Sequence, residues 1–108
     1  MKNEVSNILS LINNGDSLKA LHEARSFYNR NENNLDAVKV LAYSYIQIGN
    51  FEKVIEVLKR GYRKRNDQMD FDYFNNMGYA LSQIEEYDES IIYLKKASEL
   101  SSNPSANI

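Results

Sequence analysis

The chain has 108 residues, about the length of one small domain, and carries a net charge of −2. It contains no Cys and a single His, which excludes disulfides, zinc fingers, iron–sulfur clusters and thiol nucleophiles and gives no reason to expect a metal site or a cofactor. The mildly acidic balance is not that of a nucleic-acid-binding protein. The start lacks the apolar segment of a secretory leader, and the longest apolar run, residues 91–94, is far too short to cross a bilayer. These features predict a cytoplasmic domain without a membrane partner.

The spacing of apolar residues is helical along the whole chain. In the first segment Val5, Ile8, Leu9 and Ile12 fall at positions i, i+3, i+4 and i+7, which mark one face of an amphipathic helix. No stretch of useful length alternates with period two, so we predict an all-α fold. The predicted helices cover 3–14, 17–30, 35–48, 51–65, 70–84 and 87–101.

Residues between these segments are typical of helix ends. Gly15 and Gly49 follow periodic segments, at positions where a left-handed residue ends a helix. The predicted N-caps are Asp16 or Ser17, then Asn50, then Asp70 or Asp72. Because the turns are very short, consecutive helices are expected to pack as antiparallel hairpins.

The hairpins form an internal repeat. Aligning Gly15 with Gly49 gives a period of 34 residues, and aligning Phe51 with Tyr87 gives 36. The same alignment superposes Ala42 on Gly78, two small residues at which helix backbones can approach closely. The predicted units are repeat 1 over 1–34, repeat 2 over 35–69, repeat 3 over 70–101 and a flexible tail over 102–108.

The repeat resembles the tetratricopeptide family. A period of 34 residues with W-x2-L-G-x2-Y in the first helix is the family pattern, and degenerate versions of it occur as Val38-x2-Leu41-Ala42-x2-Tyr45 and Phe74-x2-Met77-Gly78-x2-Leu81. Repeat 1 departs from the pattern at Glu4, and repeat 3 has Glu85 where the family has glycine. The resemblance implies a right-handed α-α superhelix, or solenoid, of three helix-turn-helix repeats with six antiparallel helices. An unrelated helical bundle is the alternative.

Candidate chemical groups are few and each has a simple structural explanation. His22 is the one imidazole and fits a half-exposed helical position. The acidic residues of 85–89 match no calcium-binding loop and suit the positive end of a helix dipole. Segment 59–65 holds five cations in seven residues. We interpret this segment as the complement of a helix C-terminus, with RNA binding as a weaker alternative.

The best binding candidates lie on the first helix of each repeat, because these helices line the inner surface of a stacked array. Tyr43 and Tyr79 fall one repeat apart and supply large contact areas with a polar tip. The predicted partner-binding groove comprises Leu9, Ile12, Lys39, Tyr43, Gln47, Asn75, Asn76, Tyr79 and Gln83. Chaperone-binding members of the family use a basic clamp, but its expected sites hold Val5, Leu9, Val40 and Asp72 here. Recognition of chaperone tails is therefore not predicted.

The sequence favours a non-enzymatic scaffold or adaptor that binds an extended peptide or a partner helix in this groove. A first alternative is self-association into a homo-oligomer through an uncapped last hairpin, with Ile91 and Leu94 exposed. A second is the regulatory or recruiting part of a larger enzyme or complex. A protein or peptide partner is predicted, and nucleic acid is not expected.

Overall fold

The computed structural model describes the backbone of residues 2–102 and the side chains of residues 4–101. It contains six α-helices and no strand over this range. The helices are α1 (Lys2–Asn13), α2 (Ser17–Arg30), α3 (Leu35–Gln47), α4 (Phe51–Tyr62), α5 (Phe71–Gln83) and α6 (Tyr87–Ser102), with a short 3-10 helix over Asn66–Gln68. The predicted all-α class is confirmed. The predicted tail lies outside the described residues, apart from the backbone of Ser102 in α6.

Three turns, between α1 and α2, α3 and α4, and α5 and α6, share one geometry. Gly15, Gly49 and Glu85 adopt φ angles of 87°, 77° and 67°. In each turn the amide of the next residue donates to a carbonyl five residues earlier: Asp16 to Leu11 at 2.8 Å, Asn50 to Tyr45 at 3.0 Å, and Glu86 to Leu81 at 2.9 Å. This is the Schellman pattern of helix termination. Glu85 therefore adopts the left-handed conformation that glycine adopts in the other two turns.

Side-chain caps fix the starts of three helices. Asn50 accepts from the Lys53 amide at 3.4 Å, and Asp70 accepts from the Tyr73 amide at 3.0 Å, as predicted. Asn34, which was not predicted, accepts from the Asp36 amide at 2.8 Å and begins α3. Asp16 occupies the cap position of α2 but makes no side-chain capping bond.

Helix α4 ends at Tyr62, three residues before its predicted end. The amide of Arg65 donates to the Tyr62 carbonyl at 3.0 Å, which tightens the chain into a turn. The Arg65 guanidinium donates to the carbonyl of Gly61 at 2.6 Å and also to that of Asn33. The Arg65 side chain thus bonds to a terminal carbonyl of α4 and also links the end of α4 to the loop before α3. The spacing of apolar residues does not predict this contact between distant segments.

The helices pack in chain order, each against the next, and α1 also contacts α3. Small residues permit two close approaches. A Cβ at Gly61 would lie 2.3 Å from Val38 Cγ1, and a Cβ at Gly78 would lie 2.6 Å from Leu94 Cγ. The buried Ser90 hydroxyl donates to the Gly78 carbonyl at 2.7 Å across the last hairpin. The close approach predicted at Gly78 is confirmed.

An aromatic cluster joins α4 to the last hairpin. Tyr62 on α4 packs against Tyr73 on α5 with ring centroids 4.5 Å apart, and Tyr73 lies 6.1 Å from Tyr93 on α6. The pKa values of Tyr62 and Tyr73 lie above the ordinary tyrosine value, and burial is the largest cause. The Tyr62 hydroxyl is buried and has no hydrogen-bond partner among the described residues. None of the helices over the described range is long and apolar enough to cross a membrane.

Candidate protein-binding groove

An open groove lies where α1, α3 and α5 meet, with a cavity of about 410 Å³. Its walls come from one helix of each hairpin, so it exists only because the three hairpins are packed side by side. The lining residues are Val5, Leu9, Asp36, Lys39, Val40, Tyr43, Asp72 and Asn76.

One part of the groove is apolar. Leu9 on α1 and Tyr43 on α3 keep 38% and 39% of their surface exposed, whereas Val40 between them is nearly buried. Isolated exposed apolar residues are common on soluble proteins, but these two side chains line one concavity. The groove therefore offers an apolar contact surface that no other described part of the chain covers.

The other part of the groove is charged. Lys39 Nζ lies 3.0 Å from Asp70 Oδ2 and 3.8 Å from Asp72 Oδ2. Partial burial lowers the pKa of Lys39, but the hydrogen bond to Asp70 and the charges of Asp70, Asp72 and Asp36 outweigh it, so the pKa lies above the ordinary lysine value. Lys39 is consequently cationic at neutral pH, and the carboxylates around it outnumber it.

Asp70 holds two elements together at this end of the groove. One carboxylate oxygen caps α5 through the Tyr73 amide, and the other accepts from Lys39 on α3. A single side chain thus fixes the start of α5 relative to α3. This contact sets the positions of Asp72 and Asn76, which follow on α5.

The structure brings together four of the nine predicted groove residues: Leu9, Lys39, Tyr43 and Asn76. The other five do not line this cavity. Ile12 packs against the core, Asn75 is half-buried, and Gln47 and Gln83 are exposed near the ends of α3 and α5. Tyr79 lies one turn beyond Asn76, where its ring packs edge-on against Phe51 with centroids 5.6 Å apart.

Four of the lining residues were not among the nine predicted groove residues: Val5, Asp36, Val40 and Asp72. Asp36 lines the groove, yet an acidic residue in the first turn of α3 already has an explanation in the helix dipole. Val40 occupies an expected site of the family's basic clamp, but only 4% of its surface is exposed. Helical spacing indicated its side of α3, and the packing of neighbouring helices determined its burial.

The remaining candidates lie away from the groove. His22 is exposed on α2. In segment 59–65, Lys59, Arg60, Arg63 and Lys64 are exposed, and Arg65 bonds to backbone carbonyls as described above. This contact agrees with the interpretation of the segment as the complement of a helix C-terminus. Ile91 and Leu94, predicted as a self-association flank, keep 60% and 38% of their surface exposed on α6.

The fold and groove describe an all-α protein built from packed helical hairpins, the class in which helical repeat proteins fall. Residues 71–104, which include all of α5 and α6, match the tetratricopeptide repeat family. The match supports the tetratricopeptide resemblance inferred from the sequence, and it covers the last hairpin. No curated protein matches the chain. A tetratricopeptide repeat at this hairpin indicates a general role in protein–protein interaction.

Proposed function

We propose that the chain is a non-enzymatic interaction module that holds an extended segment of a partner protein in the groove between α1, α3 and α5. The observation that carries the proposal is the placement of Leu9 and Tyr43, both more than a third exposed, beside the carboxylate and amide groups of the same cavity. Ligand-binding clefts combine apolar walls with a few polar groups in this way.

The two parts of the groove have distinct tasks in this proposal. An apolar side chain of the partner would insert between Leu9 and Tyr43, where its burial supplies most of the affinity. The partner's backbone amides would donate to Asp72 and to the Asn76 side chain, which can both donate and accept. Because Lys39 already pairs with Asp70, the surplus of carboxylates favours a neutral or basic segment over an acidic one.

The proposed arrangement is a right-handed superhelix of three repeats over 1–34, 35–69 and 70–101. Its support is the shared geometry of the turns at Gly15, Gly49 and Glu85, spaced 34 and 36 residues apart. Identical turns make each hairpin a similar rigid unit, and stacking such units aligns their first helices along one surface.

A peptide selection tests the groove. Peptides are selected from a random display library against the whole chain, and the affinity of the best binder is measured by fluorescence anisotropy. Tyr43→Ala and Leu9→Ala should each weaken binding about tenfold, since a well-packed anchor contributes more than about 1 kcal/mol. Leu18→Ala is the matched control because Leu18 is 75% exposed on α2, outside the groove. Equal losses in all three variants would reject the groove as the binding site.

Self-association is a second candidate function, favoured by the exposed apolar residues Ile91 and Leu94 on α6. A role as the recruiting part of a larger enzyme and a cytoplasmic location stay predictions. The two binding surfaces are independent, because the groove and the exposed side of α6 share none of these residues.

A further inference from the structure

One side of α6 carries a partly exposed apolar stripe. Tyr87, Ile91 and Leu94 fall at i, i+4 and i+7, on one face of the helix, and 58%, 60% and 38% of their surfaces are exposed. We call these three residues the α6 stripe. Three large apolar side chains in a row form a contiguous patch, which monomeric proteins usually cover.

The preceding hairpin shows how such a stripe is normally packed. One repeat earlier, the equivalent residues Phe51, Ile55 and Leu58 on α4 are half-buried, half-buried and buried. The following helix, α5, covers them in part, and the contact of Phe51 with Tyr79 belongs to this packing. The α6 stripe therefore has the character of a helix-packing face.

The opposite end of the molecule is a poor match for the α6 stripe. Helix α3 packs against the preceding hairpin, and its residues Val40, Leu41 and Ser44 are buried. Their equivalents on α1, at 34 residues' distance, are Ser6, Asn7 and Ser10, which are exposed and polar. Docking α1 of one copy on α6 of another would bury these polar groups against an apolar stripe, which is unfavourable. Head-to-tail assembly is thus disfavoured.

The stripe is instead complementary to itself. Asp88 and Lys95 lie seven residues apart along one edge of it, both exposed. When two α6 helices run antiparallel about a two-fold axis at Ile91, Asp88 of each copy comes level with the partner's Lys95 to within about one residue rise of 1.5 Å. The same register places Tyr87 beside the partner's Leu94. Opposite charges then flank an apolar centre, and the two-fold axis repeats every contact.

We propose that the chain forms a two-fold symmetric dimer in which α6 packs antiparallel against the partner's α6 through the α6 stripe. The inference rests on the self-association proposed above and not on the groove. Assembly stops at two copies, because the dimer buries the α6 stripe of both chains and leaves none exposed for a third copy. The grooves of the two copies stay open, so the dimer would hold two partner segments.

Charge exchange tests the register. Sedimentation equilibrium of the wild-type chain should give a dimer. Asp88→Lys and Lys95→Asp should each raise the dimer dissociation constant about tenfold, because each places like charges opposite one another twice. The double variant carrying both substitutions should return the constant to within about threefold of wild type. Failure of the double variant to recover would overturn the antiparallel register, and a wild-type monomer up to millimolar concentration would overturn the dimer.

A second pair of variants tests the stripe itself. Ile91→Asp should abolish the dimer, since it places two carboxylates at the two-fold axis. Leu18→Asp is the matched control, because Leu18 is 75% exposed on α2, away from the α6 stripe, and it should remain dimeric. Equal effects of the two substitutions would overturn the proposal. Circular dichroism checks that both variants fold. The affinity of Ile91→Asp for the groove peptide is measured as well, so that a failure of the dimer proposal can be distinguished from a failure of the groove proposal.

Discussion

Gly61 permits the close packing of α4 on α3. An alanine Cβ at this position would lie 2.3 Å from Cγ1 and 2.8 Å from Cγ2 of Val38. Val38 is fully buried, and its branched side chain has essentially one rotamer in a helix. The side chain therefore cannot rotate away, and relief of the clash requires the two helices to separate.

The size of the effect follows from two opposing contributions. Replacing glycine by alanine inside a helix stabilises it by about 1 kcal/mol. Forcing one additional methyl group into a packed core costs about 1–3 kcal/mol, and a contact of 2.3 Å falls at the upper end of that range. We expect Gly61→Ala to lower the free energy of unfolding by about 1–2 kcal/mol, a considerable fraction of the roughly 5–15 kcal/mol typical of a domain.

Urea unfolding followed by circular dichroism measures this change, and a double-mutant cycle with Val38→Ala isolates the clash. Val38→Ala alone leaves a cavity and destabilises the chain. In the double variant, the methyl group introduced by Gly61→Ala occupies part of that space, so the two substitutions should couple favourably by about 1 kcal/mol or more. A Gly61→Ala variant as stable as wild type, or a coupling energy near zero, would refute the packing described for Gly61.

Two further predictions concern stability. Tyr62→Phe should raise the free energy of unfolding by about 1 kcal/mol, because it removes a buried hydroxyl that has no hydrogen-bond partner among the described residues. Urea unfolding measures the change, and a loss of stability would contradict the prediction. Arg30 Nη2 lies 2.6 Å from Glu4 Oε2, and this hydrogen bond holds the pKa of Glu4 below its ordinary value. A carboxyl group whose pKa is lower in the folded chain than its unfolded value of 4.5 stabilises the fold above that value. This stabilisation is lost as the pH falls through the pKa of the folded state. Glu4→Gln should therefore destabilise the chain at pH 7 and have progressively less effect in acid. A difference between Glu4→Gln and wild type that does not change with pH would show that the pair contributes no such linkage.

The turns were predictable because their signals are local. Gly15 and Gly49 follow the apolar face of a helix, and the repeat alignment extends the same turn to Glu85, where composition alone gives no sign of it. The early end of α4 was not predictable. Arg65 follows the end of α4 and donates to the carbonyl of Asn33 in the loop before α3, and the spacing of apolar residues does not predict a contact between such distant segments.

The groove was predictable in outline. Helical spacing assigned Leu9, Tyr43 and Asn76 to the first helices of their repeats, and these residues do line one cavity. The spacing did not predict that Lys39 pairs with Asp70, because that contact depends on how far α5 is displaced along α3. Tyr79 follows Asn76 by one turn, yet its position against Phe51 depends on the path of the chain between α4 and α5, which helical spacing does not describe.

The central claim is that α1, α3 and α5 form the surface that receives a partner segment. Its most direct test is a map of backbone amide chemical shifts, recorded by NMR on the isotope-labelled chain as a library-selected peptide is added. The proposal predicts that the largest changes cluster at Leu9, Lys39, Tyr43 and Asn76, with little change at Leu18 on α2. Changes concentrated on α2, α4 or the α6 stripe, with the groove residues unmoved, would contradict it.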